Sequence, residues 1–344
     1  MTTGSNHPES LGPARRRGPL RPGDKVQVTD PKGRLHTITL VPGGRFQTNR
    51  GTLDHDLVLG KPDGQVVEVE DGKTFQVLRP LLSDYTLSMP RGAAIIYPKD
   101  AAQIVAMADI FPGARVLESG VGSGALSASL LSAIGPTGYL HSVEVREEFA
   151  AIAAANVDLW FGGRHPAWEI EVADVGGALG EAEPHFYDRV LLDLLNPWDF
   201  VDGAARVLEP GGVFLSYVAT VPQMSRVVEA LRKSGEFSEP HSWESMVRSW
   251  HVEGLSVRPD HRMIGHTGFL VVARRLAPAA TSHVLSSRPA PAAEGKGGEW
   301  DEVTRWDDES LGLRTPNAKK LRRLRRDVEA RANVWLEDKE ADNG

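Results

Sequence analysis

Residues 116–124 read Val-Leu-Glu-Ser-Gly-Val-Gly-Ser-Gly, an apolar run that ends on an acid and enters a glycine-rich turn. Beyond it Leu126, Leu130 and Ile134 recur at helical spacing, so a strand, a tight turn and a helix follow one another. That is the layout of a nucleoside-cofactor site at the end of a first parallel strand. Glycines 120, 122 and 124 let backbone approach a ligand and permit φ > 0 where a side chain would clash. The pattern is E-x-G-x-G-x-G, with Ala125 where the dinucleotide fingerprint carries another glycine. Glu118 repels a pyrophosphate and welcomes an aminoacyl ammonium. S-adenosyl-L-methionine carries that ammonium and no phosphate, and is the cofactor this turn predicts.

Three more acids stand where following strands end. Glu144, twenty positions after Gly124, is placed to accept from both ribose hydroxyls of an adenosine. Asp174 is placed to accept from an exocyclic adenine amine. Asp193, in Leu191-Leu-Asp-Leu-Leu-Asn-Pro-Trp198, projects toward the cofactor crevice, with Pro197-Trp198 as a flat wall. Each acid alone is matched by the plainer reading of a solvated strand end or a helix cap, and Trp198 by core packing. It is their succession behind a triple glycine that favours a cofactor pocket.

Alternating patterns extend this unit. Helices are expected over 100–109, 124–133, 146–160 and 223–234. Strands are expected over 115–118, 139–144, 168–172, 189–193, 213–217, 241–246 and 269–273. Strands and helices in alternation imply a parallel, doubly wound sheet. Ahead of it, short runs such as Lys25-Val-Gln-Val are punctuated by Pro31-Lys-Gly, Pro42-Gly-Gly and Pro62-Asp-Gly, the signature of a small β-barrel or sandwich. The expected organisation is a disordered lead-in over 1–20 and a β-barrel-like domain over 21–90. The cofactor domain then occupies 91–276, and 277–344 form a linker and basic tail. The fold class is α/β, a doubly wound Rossmann-like sheet with a small N-terminal β-rich domain.

At 344 residues the chain has room for one large or two ordinary cores. A formal net charge of −7 does not advertise nucleic-acid binding, although local patches decide that question. The absence of cysteine excludes disulfides and thiolate metal sites. A polar N-terminus and no long apolar run point to a cytoplasmic protein. Arg15-Arg-Arg17, Arg21, Arg91, Lys99 and the run Lys319-Lys-Leu-Arg-Arg-Leu-Arg-Arg326 are candidate phosphate contacts, each also readable as a solvated face. His261 and His266 lack a third ligand at metal-binding spacing, so no metal is expected and His266 is assigned to hydrogen bonding in the fold or at a subunit interface.

Five segments make the reading specific: Tyr97-Pro-Lys-Asp100, Leu117 through Leu126, Asp193 through Trp198, Tyr217-Val-Ala-Thr220 and Gly265-His-Thr-Gly-Phe-Leu270. With them, residues 20–276 resemble the tRNA (adenine-58) N1-methyltransferases, in particular their bacterial, actinobacterial-type branch. The resemblance implies a homotetramer that methylates N1 of an adenosine in the T-loop of tRNA, with no metal. Carried onto this chain, the pocket takes Glu118, Ser119, Gly120, Val121, Gly122, Ser123, Gly124, Ala125 and Leu126. Glu144 holds the ribose, Asp174 and Val175 flank the adenine, and Phe149 makes an apolar contact or is a buried helix residue. Tyr97 closes the methyl end. Asp193 accepts from the 6-amino group of the target adenine, kept ionised by the neighbouring sulfonium.

Other readings predict other residues. A protein-isoaspartate or other small-substrate methyltransferase shares the glycine turn but neither Pro197-Trp198 nor the β-rich domain. A nicotinamide dehydrogenase needs a phosphate-tolerant turn without Glu118. A non-catalytic RNA-binding subunit would carry a degraded turn, and this one is intact.

Overall fold

Val26 and Val28 alternate with Lys25, Gln27 and Thr29, the period-two pattern of a strand with one buried face, and both valines are fully buried. The computed structural model describes residues 16–69, 72–280 and 318–327. These divide into two compact units, one holding 16–92 with Ile152–His165 and 318–327, the other Ala93–Ala151 with 166–280.

The first unit is β-rich. Strands β1 (Lys25–Thr29), β2 (Leu35–Thr39), β3 (Arg45–Thr48), β4 (Gly51–Asp54), β5 (Gln65–Glu68) and β6 (Thr74–Leu78) precede helix α1 (Leu82–Ser88). Four of them form an antiparallel sheet in the order β2-β1-β6-β5, and β3 pairs with β4. Leu20, Val28, Leu40, Leu53, Phe75 and Val77 close its core. Leu20 is 1% exposed and its N–H donates to the Lys61 carbonyl at 2.7 Å, so the end of the expected lead-in is packed structure. Residues 1–15, where the rest of that lead-in falls, lie outside the described residues.

The second unit runs α2 (Pro98–Met107), β7 (Arg115–Ser119), α3 (Ala125–Ile134), β8 (Tyr139–Val143), α4 (Glu147–Phe161, whose later turns fall in the first unit), β9 (Trp168–Glu171), α5 (Val175–Glu181), β10 (Tyr187–Leu192), α6 (Val201–Val207), β11 (Leu208–Val218), α7 (Val221–Ser234), β12 (His241–Trp243), β13 (Trp250–Glu253), β14 (Ser256–Pro259) and β15 (Phe269–Arg274). Seven strands make the central sheet in the order β12-β15-β11-β10-β7-β8-β9. From β7 the chain builds outward through β8 and β9, then returns to add β10 and β11 on the other side. The switch point therefore lies between β7 and β10, where ligands of such sheets bind. Leu117, Val190, Leu192, Phe214, Val227 and Val271 pack its core on one side.

Two expectations are corrected. The sheet is mixed, because β15 pairs antiparallel with both β11 and β12. A parallel insertion needs a crossover helix, and the segment between β12 and β15 folds as the β13–β14 hairpin instead. The strand expected over 241–246 stops at Trp243, beyond which Glu244 pairs with His266 and Ser245 donates to Asp100. Within the hairpin, Trp250, Val252, Leu255 and Val257 are all exposed. The basic run 319–326 lies in a helical segment, 318–327; the linker expected ahead of it and the remainder of the tail fall outside the described residues. Among the described residues no helix is long and apolar enough to cross a membrane.

Candidate active site

The turn after β7 and the end of β10 meet backbone to backbone. Asp193 N–H donates to the Ser119 carbonyl at 2.9 Å. A Cβ at Gly120, whose φ is +89°, would lie 2.0 Å from the Asp193 carbonyl oxygen, so position 120 admits glycine alone. Gly122 (φ +56°) turns its N–H onto the Glu144 carboxylate at 3.0 Å, and Gly124 (φ +80°) caps α3. Ser119 donates to the Val143 carbonyl, tying β7 to β8. Val121, Ser123, Ala125 and Leu126 are buried along the turn and the first helical residues.

This geometry crowds carboxylates. Glu118 is 1% exposed; its Oε2 accepts from Ser127 Oγ and Ser142 Oγ, each at 2.7 Å. Its Oε1 is buried with no hydrogen-bond partner among the described residues. Burial pushes Glu118 up to about 7, with the Glu144 charge adding and the two serine hydroxyls opposing. Burial likewise pushes Asp193 up to about 7, reinforced by Glu118 and Glu144 and opposed by Arg146. Glu144 is the acid already compensated: Arg146 donates to it through Nε at 2.8 Å as well as through its backbone N–H. A buried acceptor without a donor and two acids short of positive charge are what a cationic ligand corrects.

The other candidates are placed as follows. Phe149 is 2% exposed, with the Arg146 guanidinium 3.9 Å above its ring. Asp174 caps α5, its Oδ1 accepting from the N–H groups of Gly176 and Gly177, and Val175 is buried in the core. Tyr97 is half-buried at the N-cap of α2, ahead of Pro98. Trp198 packs against the core, with the Arg226 guanidinium 4.4 Å from its ring centre, which favours the packing role for that side chain.

A second cluster was not foreseen as a unit. Asp100 is fully buried; its Oδ1 accepts from Lys99 Nζ at 2.7 Å and Ser245 Oγ at 2.8 Å, and its Oδ2 from Thr267 Oγ1 at 2.6 Å. Tyr217 reaches the same carboxylate at 3.5 Å. Burial holds the Tyr217 phenol above its ordinary range, with Thr267 lowering it and the Asp100 and Asp193 charges adding. Gly268 leaves room for that phenol, since a Cβ there would fall 2.3 Å from the ring. Three of the five segments singled out in the sequence thus join through one carboxylate. The signal was their shared polarity in otherwise apolar surroundings. His266 bridges Glu244 and the Ala219 carbonyl, each at 3.0 Å; two acceptors favour the imidazolium and raise its pKa, as expected of a histidine bonded within the fold. No group of metal-binding side chains occurs among the described residues.

Sheet order, switch point and acid-bearing glycine turn define a Rossmann-like methyltransferase. The chain belongs to the family described as the tRNA methyltransferase complex GCD14 subunit, which matches residues 74–258, preceded by a TrmI-like N-terminal region over 18–67. It is 36% identical to the tRNA (adenine(58)-N(1))-methyltransferase TrmI of Thermus thermophilus over 251 residues, 72% of this chain and 95% of that protein. The tRNA (adenine(57)-N(1)/adenine(58)-N(1))-methyltransferase TrmI of Methanocaldococcus jannaschii is 31% identical, over 67% of this chain and 88% of its own length. Among solved structures, an S-adenosylmethionine-dependent O-methyltransferase of Thermotoga maritima aligns with a TM-score of 0.70 at 31% identity, over 75% of this chain and 95% of that one. The tRNA (m1A58) methyltransferase TrmI of Aquifex aeolicus aligns with a TM-score of 0.67 at 27% identity, over 76% of this chain and all of that one.

Two predictions test the crowded turn. Gly120→Ala forces both a strained φ and a backbone clash, and is expected to cost about 2 kcal/mol or more in urea unfolding. Glu118→Gln keeps the serine bonds and removes the charge. A raised carboxylate pKa means folding favours the protonated acid, so stability is lost as pH rises through about 7. The variant should melt a few degrees higher than the parent at pH 8, with the gap closing toward pH 5. A gap that ignores pH would contradict the assignment.

Proposed function

We propose that this chain methylates N1 of adenosine 58 in the T-loop of tRNA, using S-adenosyl-L-methionine as donor. The observation that carries the proposal is the set of three carboxylates at the β7–β10 switch point, two of them lacking positive charge, in a chain of this family. The sulfonium of the donor makes its methyl group electrophilic, so the protein's work is binding and in-line placement. Glu118 Oε1 is the acceptor available to the aminoacyl ammonium. Glu144 faces the ribose once Arg146 shares or releases its carboxylate, and Asp174 offers the adenine amine the oxygen not used in capping α5. The backbone from Ser119 to Leu126 follows the donor, Val175 and Phe149 supply apolar walls, and Tyr97 closes the methyl end.

Asp193 acts on the acceptor. It takes a hydrogen bond from the adenine 6-amino group and stabilises the positive charge that develops as N1 is alkylated. For that it must be ionised. A cation beside it lowers its pKa from about 7, so donor and acceptor binding are coupled through one charge. The target base leaves its stack at a cost of about a few kcal/mol, drawn from contacts elsewhere on the tRNA. The exposed apolar residues of the β13–β14 hairpin support assembly into a homotetramer, and the substrate supports a cytoplasmic location. The Thermotoga neighbour favours a second reading, methyl transfer to a hydroxyl of a small substrate.

Purified protein incubated with labelled donor and unmodified tRNA should yield 1-methyladenosine on nucleoside analysis; label absent from well-folded tRNA would overturn the proposal. Asp193→Asn should reduce the single-turnover rate about a hundredfold or more while still binding donor. Donor affinity should weaken as pH falls below about 7, because Glu118 and Asp193 must then release protons on binding. S-adenosylhomocysteine, which lacks the sulfonium, should show a shallower dependence by calorimetry. In sedimentation, Trp250→Glu with Val252→Lys should shift the parent's assembly to smaller species; a parent that sediments as a monomer removes the tetramer.

A further inference from the structure

The helix at 318–327 lies beyond the family match, which ends at residue 258. The Aquifex structure is covered completely by 76% of this chain. Within the helix, Lys319, Arg322, Arg323 and Arg326 follow the i, i+3, i+4, i+7 rule and therefore fall on one face, within an arc of about 100°. Leu321 and Leu324 fall on the opposite side and are the two half-buried residues of the segment, whereas every cation is exposed. Lys320 and Arg325 flank the leucines, so six positive charges sit on little more than two turns.

A ridge of this kind is costly to the helix alone. Like charges at i, i+3 and i, i+4 oppose helix formation by about 0.2–0.5 kcal/mol per pair. Among the described residues, no acidic side chain lies within ion-pair distance of Arg322, Arg323, Arg325 or Arg326. Arg322 Nε turns back to the helix's own Ala318 carbonyl instead. The one acid of the segment, Asp327, stands at its end. The ridge is about 10 Å long at 1.5 Å per residue, and a polyanion lying along it would remove the repulsion and gain counterion release.

We propose that the 318–327 helix is a phosphate-binding ridge for tRNA, added to the shared fold, in which Lys319, Arg322, Arg323 and Arg326 contact the backbone without reading sequence. It rests on the tRNA reading of the active site, since the phosphodiester backbone of that substrate is the polyanion the enzyme must hold. Arginine suits the task, because its planar fork pairs with phosphate oxygens.

The test uses the full chain carrying Lys319→Gln, Arg322→Gln, Arg323→Gln and Arg326→Gln, substitutions that keep helix propensity and both leucines. The equilibrium constant for an unmodified tRNA transcript is measured from 50 to 200 mM salt. Each lost phosphate contact lowers the salt slope by about 0.7–0.9, so four should lower it by about 3 and change the ratio of parent to variant affinities about fiftyfold across that range. A second variant, with the three arginines replaced by lysine, should keep the parent's slope. Equal slopes for the parent and the glutamine variant would overturn the ridge, as would loss of binding to anionic phosphatidylglycerol vesicles with tRNA binding intact. Failure of the catalytic reading is separate: it appears as a parent that binds tRNA and forms no 1-methyladenosine.

Discussion

The contact on which the second unit depends is the backbone approach of Gly120 to Asp193. Two parallel strands end side by side, and the turn leaving one passes so close to the end of the other that no Cβ fits between them. That approach places Asp193 beside Glu118, and the N–H of Gly122 draws Glu144 toward the same point. Three acids from adjacent strands then share a volume in which a single arginine offsets one of them. In water such a group would spread apart or bind counterions. Here the sheet holds it, and burial first, with the neighbouring charges adding, makes Glu118 and Asp193 ionise near neutrality.

This gives the site its direction. A pocket that stores repulsion between acids binds a cation more strongly than a neutral analogue of the same shape, because only the cation relieves the repulsion. On the proposed reading, the donor loses that advantage when its S–CH3 bond breaks and the sulfonium becomes a neutral thioether. On that reading, donor and product are discriminated by a charge difference, and Asp193 is assigned to both the cofactor and the acceptor side. Tyr217 donates to Asp100 at 3.5 Å, and after burial the Asp100 and Asp193 charges both raise its phenol.

Much of this was legible in the sequence because it rests on local rules. Positive φ needs glycine, a strand ending on an acid points it over the sheet edge, and alternation of strand and helix specifies the doubly wound order. What was not legible depended on contacts between distant segments. The Asp100 cluster draws on residues 99, 217, 245 and 267, none of them close to all the others along the chain, and no spacing rule links them. The β13–β14 hairpin was not anticipated, because its apolar residues Trp250, Val252, Leu255 and Val257 are exposed and leave no buried face to mark the strands. The reversed strand β15 escaped because direction is set by the connection, and a hairpin occupies the place where a crossover helix would have been needed.

The same distinction separates the two kinds of positive charge in this chain. Arg146 and Lys99 sit against carboxylates and serve the fold where they are, neutralising an acid that would otherwise be buried alone. The arginines of the 318–327 helix have no such partner among the described residues, and their own spacing sets them against one another. A charge satisfied inside the fold is already used in stability. A row of exposed like-charged arginines keeps its electrostatic free energy for whatever polyanion arrives, and that energy is salt-dependent because the charges face solvent. On the two proposals made above, the acids of the switch point and the arginines of the helix follow one principle: like charge held together by the chain, facing a small cation in one case and a large anion in the other.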